Sequence, residues 1–163
     1  MRRRLFLGAA CFVTLSGCGF ALKRAPELSF KTIQLAGFPA RSPLAAELRS
    51  QLEASPTTRV VESASEAQVI LQVLSEAREK VVVAQTSASQ IREFELRLRL
   101  NFRVRNAAGK DLIGDSEIVQ RRSLTYTETI ALAKEQEEAS LYRSMQTDIV
   151  SQVLRRLASV RLV

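Results

Sequence analysis

From residue 94 to residue 105 the chain alternates without a break. Phe94, Leu96, Leu98, Leu100, Phe102 and Val104 are apolar, while Glu95, Arg97, Arg99, Asn101, Arg103 and Arg105 are polar or charged. A two-residue period of this length specifies a β-strand with one face in a core and the other wet. The segment Asn106-Ala107-Ala108-Gly109-Lys110 is turn chemistry, so residues 112–124 are predicted to pair back as the second arm of a hairpin. Whatever else the chain does, it must supply a layer to cover the apolar face of that sheet.

Two helical stripes can provide the cover. Ser42-Pro43 is a helix start, with Ser at the N-cap and Pro at the first helical position, and Leu44, Leu48 and Leu52 recur every four residues. Ser55-Pro56 ends that helix. From about Lys134 onward Leu141, Met145, Ile149, Val153 and Leu157 repeat at the same step, and Tyr142, Val150 and Leu154 widen the stripe. Further strands are expected at residues 30–35, ended by Gly37 and Pro39, at 57–61, and at 67–75. In the last, Val69, Leu71 and Val73 point one way and Ile70 and Leu74 the other; residues 80–84 extend it, and 85–90 form a polar loop. The order implies an α/β (α+β) domain over residues 30–163. It is a two-layer sandwich in which two amphipathic helices pack on one face of a mainly antiparallel or mixed sheet of about four strands.

The first residues read differently. Arg2-Arg3-Arg4, an apolar run over residues 5–15, and Ser16-Gly17-Cys18 follow the order of a secretory signal. The run is short of the roughly 20 apolar residues needed to span a bilayer. Leu15-Ser16-Gly17-Cys18 resembles the bacterial lipobox, which implies removal of residues 1–17 and acylation of Cys18, with fatty chains such as palmitate. Residues 18–29 would then be a lipidated tether. Gly19, where an Asp favours inner-membrane retention, implies the periplasmic face of the outer membrane. Arg3-Arg4-Leu5-Phe6-Leu7 also looks like a twin-arginine signal, although general secretion suits it as well. Three of the 24 basic residues lie in the signal, so against 17 acidic residues the mature chain carries +4 rather than +7. Nucleic acid is an unfavourable partner for such a chain.

Catalysis has little to work with. The sequence has no His and only Cys11 and Cys18 as thiols, which removes the commonest general base and leaves too few thiols for a Cys-rich zinc site. Neither a metal nor a cofactor is expected beyond the lipid on Cys18. Ser123, Thr125 and Thr127 lack a His partner, leaving only a pairing with Lys134 open. Glu135, Glu137 and Glu138 read as a solvated first turn of the long helix. The arginines at 97, 99, 103 and 105 form a stripe diluted by Glu93 and Glu95. Lys80, Arg92, Arg121, Arg122 and Lys134 fall near strand ends and loops, where basic side chains can converge on phosphate.

Taken together, Leu15-Ser16-Gly17-Cys18-Gly19-Phe20-Ala21-Leu22-Lys23 resembles the start of the lipopolysaccharide-assembly lipoprotein family LptE, whose mature end typically reads Cys-Gly-Phe-x-Leu-Arg-Gly. Lys23 keeps the charge of the family Arg, and Arg24 stands where the family has Gly. Residues 131–137, Ala-Leu-Ala-Lys-Glu-Gln-Glu, and the helix ending at 154–161 are similar to the family's C-terminal half, and Ser42-Pro43-Leu44 with residues 47–52 fits its first helix. The resemblance implies a non-enzymatic outer-membrane lipoprotein that plugs a large β-barrel partner of the lipopolysaccharide translocon and binds lipopolysaccharide during its delivery. It implies a lipopolysaccharide contact at Lys134, with Arg92, Arg121 and Arg122 as further basic candidates. No exposed apolar groove for the acyl chains is evident in the pattern. A periplasmic small-ligand-binding lipoprotein and a lipoprotein hydrolase are the alternatives, and neither has a motif of its own.

Overall fold

The computed structural model describes residues 28–127 and 131–161. The signal, Cys18 and most of the tether lie outside those residues. Five strands and two helices follow one another as β1 (Thr32–Ala36), α1 (Pro43–Glu53), β2 (Arg59–Val61), β3 (Val69–Gln85), β4 (Ile91–Asn106), β5 (Asp111–Thr125) and α2 (Ala131–Ala158). The sheet is mixed, in the order β2-β1-β3-β4-β5, with β1 parallel to both neighbours and β3, β4 and β5 antiparallel. The expected two-layer α+β sandwich is therefore present with five strands rather than about four. The short strand expected at 57–61 is β2, only three residues long, which lies against β1 at the sheet's edge.

The alternating segment is β4, at the centre of the three long strands. Leu96, Leu98, Leu100, Phe102 and Val104 are all buried, and burial contributes roughly 1.5–3 kcal/mol for each large side chain. Against them lie Leu44, Leu48 and Leu52 of α1 and Met145, Ile149, Val153 and Leu157 of α2, every one of them buried. Helix α1 starts as its sequence requires. The Ser42 hydroxyl accepts from the Ala45 N–H at 3.1 Å and donates to Glu76 Oε2 at 2.7 Å, which satisfies an otherwise orphaned helical N–H. Gly37 follows β1 at φ +79°, and a Cβ built there would stand 2.2 Å from the Val73 carbonyl oxygen. The turn thus needs glycine both for its backbone angle and for the close approach of β3.

One irregularity decides which side chains of β3 meet the helices. Up to Val73 the odd residues of β3 face the core; the register slips between Val73 and Ser75, after which Glu76, Arg78 and Lys80 stand opposite Leu100, Leu98 and Leu96. A one-residue bulge exchanges the faces of everything beyond it. The charged half of β3 is thereby turned toward α2, and Leu74, left at the bulge, is 43% exposed.

The domain has two distinct ends. At one, the Ser29 hydroxyl donates to the Val160 carbonyl at 2.7 Å, and Leu28 packs on the core. The other holds the β3–β4 turn, the end of β5 and the start of α2. The 28 residues of α2, at 1.5 Å each, place these ends about 42 Å apart.

Candidate functional site

The far end gathers most of the basic residues singled out from the sequence. Lys134, in the first turn of α2, has a side chain only 13% exposed; its ammonium donates to Glu137 Oε2 at 2.8 Å and to Thr125 Oγ1 at 3.2 Å. Thr125 pairs with Glu93 on β4, beside the exposed Arg92. The Arg92 carbonyl accepts from the Tyr126 N–H at 2.8 Å, and the Tyr126 ring meets Phe94 edge-on with centroids 5.3 Å apart. Lys80 completes the group: its ammonium lies 2.7 Å from Glu138 Oε2, one turn beyond Lys134, and 4.2 Å from the Phe94 ring centroid. Lys80 owes this position to the bulge at Leu74, a feature invisible in the sequence pattern.

Arg121 and Arg122 do not sit together. Successive strand residues point to opposite faces, and the register confirms it here: Arg122 stands opposite Leu96, on the helix side, and Arg121 opposite Arg97, on the open side. Arg122 reaches α2, where its guanidinium donates to Asp148 Oδ2 at 2.8 Å. Arg121 joins Arg97, Arg99, Arg103 and Arg105 on the uncovered sheet face. Charges of both signs interleave there: Arg97 pairs with Glu95, Arg99 Nε lies 3.5 Å from Glu117, and Arg103 and Arg105 both donate to Gln72. Like charges directly across a ladder, as at Arg97 and Arg121, oppose pairing slightly, and neighbouring carboxylates offset the effect.

Behind Lys80 a clasp joins β3 to α2. The Arg78 guanidinium lies 3.5 Å above the Tyr142 ring. The tyrosine is 5% exposed, and its burial raises the phenol above its ordinary value of 10.0, an effect that Arg78 partly opposes. Next to it Pro39, Leu44, Glu76, Arg78, Tyr142 and Gln146 line a cleft of about 120 Å³. Small-molecule sites usually occupy about 300–1,000 Å³, and this cleft is below that range. The same Lys134 Nζ that contacts Thr125 Oγ1 is held by the Glu137 carboxylate. Among the described residues no group of three or more His, Cys, Asp or Glu side chains is placed to hold a metal ion, and no helix is long and apolar enough to cross a membrane.

Residues 30–157 match the family model described as LptE, lipopolysaccharide-assembly. The chain belongs to the LptE family. Its role is therefore in lipopolysaccharide assembly, as the sequence resemblance implied. Lipoprotein B from Nitrosomonas europaea, known from a solution NMR structure, is 31% identical to this LptE-family chain, with a TM-score of 0.74 over 86% of this chain and 91% of its own. Rare lipoprotein B from Shewanella oneidensis shares 20% identity at a TM-score of 0.67, covering 79% and 95% of the two chains. A minor lipoprotein from Acinetobacter baumannii shares 19% identity at 0.64, covering 82% and 94%; these two more distant likenesses bear on the fold. No curated sequence matches the chain. The LptE match spans both helices through Leu157 and all five strands, so the residues of the far end belong to the family domain itself.

Proposed function

We propose that this chain is a non-enzymatic lipoprotein, anchored through acylated Cys18 to the periplasmic face of the outer membrane. It plugs a large β-barrel partner and binds lipopolysaccharide on the way to the cell surface. The observation that carries this reading is the match of residues 30–157 to the LptE family. The open sheet face is compatible with it: interleaved charges of both signs suit contact with the polar interior of a wide barrel.

Lipopolysaccharide is taken at the end formed by Lys134, Arg92 and Lys80, whose donors suit phosphate oxygens in charge and in hydrogen bonding. Arg122, on the same side but held by Asp148, is an outlying contact. Arg121, on the open face, lies on the side turned to the barrel. A mild-detergent pull-down of the acylated protein from outer membranes tests the assembly. One large outer-membrane protein is expected to come with it, and recovery of the lipoprotein alone would reject the plug.

A further inference from the structure

Strand β3 outruns one of its neighbours. Its pairing with β1 ends where Ala36 stands opposite Gln72, whereas its pairing with β4 continues to Gln85. Beyond Gln72, no strand among the described residues lies on the β1 side of β3. Gly37 lies against Val73, and Ser42 bonds Glu76, so the bare edge runs over residues 77–85. An unpaired strand edge is a template for another strand. Residues 81–84 of this one read Val-Val-Val-Ala, with Val82 38% and Val83 50% exposed. The opposite edge of the sheet is less inviting: β5 carries a register slip near Gly114, and its Glu117 carbonyl accepts from Arg156 at 3.4 Å.

A strand laid along this edge places every second side chain on the helix side, in line with Glu76, Arg78, Lys80 and Val82. Glu76 is held by Ser42 and Lys80 by Glu138. Arg78 stacks on Tyr142, and among the described residues no carboxylate pairs with it. The cleft of about 120 Å³ lined by Pro39, Pro43 and Arg78 gives room there for one incoming side chain. A carboxylate in that place completes the charge of Arg78, and an apolar residue further along covers Val82. A second copy of the chain is a poor fit. In the two longest antiparallel registers of β3 against itself that clear β1, either Arg78 opposes Lys80 or Lys80 opposes its own counterpart, and like charges across a ladder oppose pairing.

We infer that the bare edge of β3 receives an extended segment of the barrel partner by strand addition, with an Asp or Glu of that segment on Arg78. The strands of a closed barrel have their backbone groups paired with one another, so the segment is a loop or chain end that projects from the wall. This rests on the reading of the chain as a plug. Main-chain hydrogen bonds supply the hold, and Arg78 fixes the register.

The test compares amide hydrogen exchange in the full-length acylated protein alone in detergent with the same protein co-purified with its barrel. In the free protein the outward amides of residues 77–84 exchange fast; in the complex they are expected to slow at least tenfold, because each gains a backbone acceptor. Arg78→Glu is expected to abolish that slowing and to lower recovery of the barrel severalfold, while Arg78→Lys keeps both. Melting temperature identifies a variant that fails to fold, in which case Arg78→Gln takes its place. Unchanged exchange over residues 77–84 in a complex that still contains the barrel overturns strand addition and leaves the plug standing. Absence of any co-purifying barrel overturns both. Slowing that persists undiminished in the folded charge variant removes Arg78 from the proposal and rejects the acidic segment. Slowing that arises in the isolated protein as its concentration rises makes the edge an interface between copies, which also rejects the proposal.

Discussion

The Tyr142 hydroxyl donates to the Glu79 carbonyl at 2.6 Å, tying the middle of β3 to α2 across 63 residues of chain. Because burial raises this phenol above its unfolded value of 10.0, the fold favours the protonated form. The linked stability is complete below pH 10 and declines as pH rises from there through the folded-state value. Stability to urea is therefore expected to stay level through neutral pH with respect to this group and fall at strongly alkaline pH. Tyr142→Phe, which also loses the bond to Glu79, should be less stable at neutral pH and show a shallower alkaline decline; an identical slope in both proteins would exclude Tyr142 as its source.

The faces of β4 predict opposite responses at adjacent positions. Leu98 is 6% exposed in the core, so Leu98→Asp buries an unpaired carboxylate and is expected to cost at least about 3 kcal/mol. Arg99 points to the open face, with its side chain 37% exposed, and Arg99→Asp should change stability by less than about 1 kcal/mol. Chemical denaturation of the two variants separates the cases, and equal losses would contradict the register of β4.

Two glycines with positive φ provide a second paired comparison. Gly109, at +83°, has open space around the position of a Cβ, so Gly109→Ala should cost only the left-handed backbone penalty of about 1–2 kcal/mol. Gly37→Ala adds a collision with the Val73 carbonyl and is expected to be clearly the more destabilising. Matching urea midpoints for the two variants would show that the β1–α1 turn can move away from β3.

Much of this architecture is legible in the sequence because the signals are periodic. The alternation through Leu98 and Phe102, the four-residue steps of Leu44, Leu48 and Leu52, and the stripe from Met145 to Leu157 each identify a buried face directly. The bulge at Leu74 is another matter. Nothing in Val73-Leu74-Ser75-Glu76 marks a change of register, yet that slip decides that Arg78 covers Tyr142 and Lys80 reaches Glu138. The far end was legible only in part for the same reason. Lys134 and Arg92 are recognisable as basic residues near element ends, whereas the placement of Lys80 depends on pairing between strands. The separation of Arg121 from Arg122 follows from simple alternation once both are assigned to a strand interior rather than to a strand end.

The proposed anchor is tested by Cys18→Ala. Buried acyl chains contribute about 0.8 kcal/mol per CH₂ to membrane affinity, and no described helix can replace them by spanning the bilayer. In cells lacking the barrel partner, the variant is expected in the soluble periplasm or as unprocessed precursor. Fractionation that still finds it firmly attached to the outer membrane would reject the lipid as the anchor.

The contact between Ser29 and Val160 also makes the domain a candidate for circular permutation. A short peptide could join Arg161 to Leu28, and new ends could be opened in the Thr86–Ser89 turn at the other extremity. An acylated leader fused there would tether the same folded body upside down, with the end that holds Lys134 against the bilayer. Whether such a permutant still supports delivery of lipopolysaccharide would reveal if polarity relative to the membrane, rather than mere attachment, is what the tether provides.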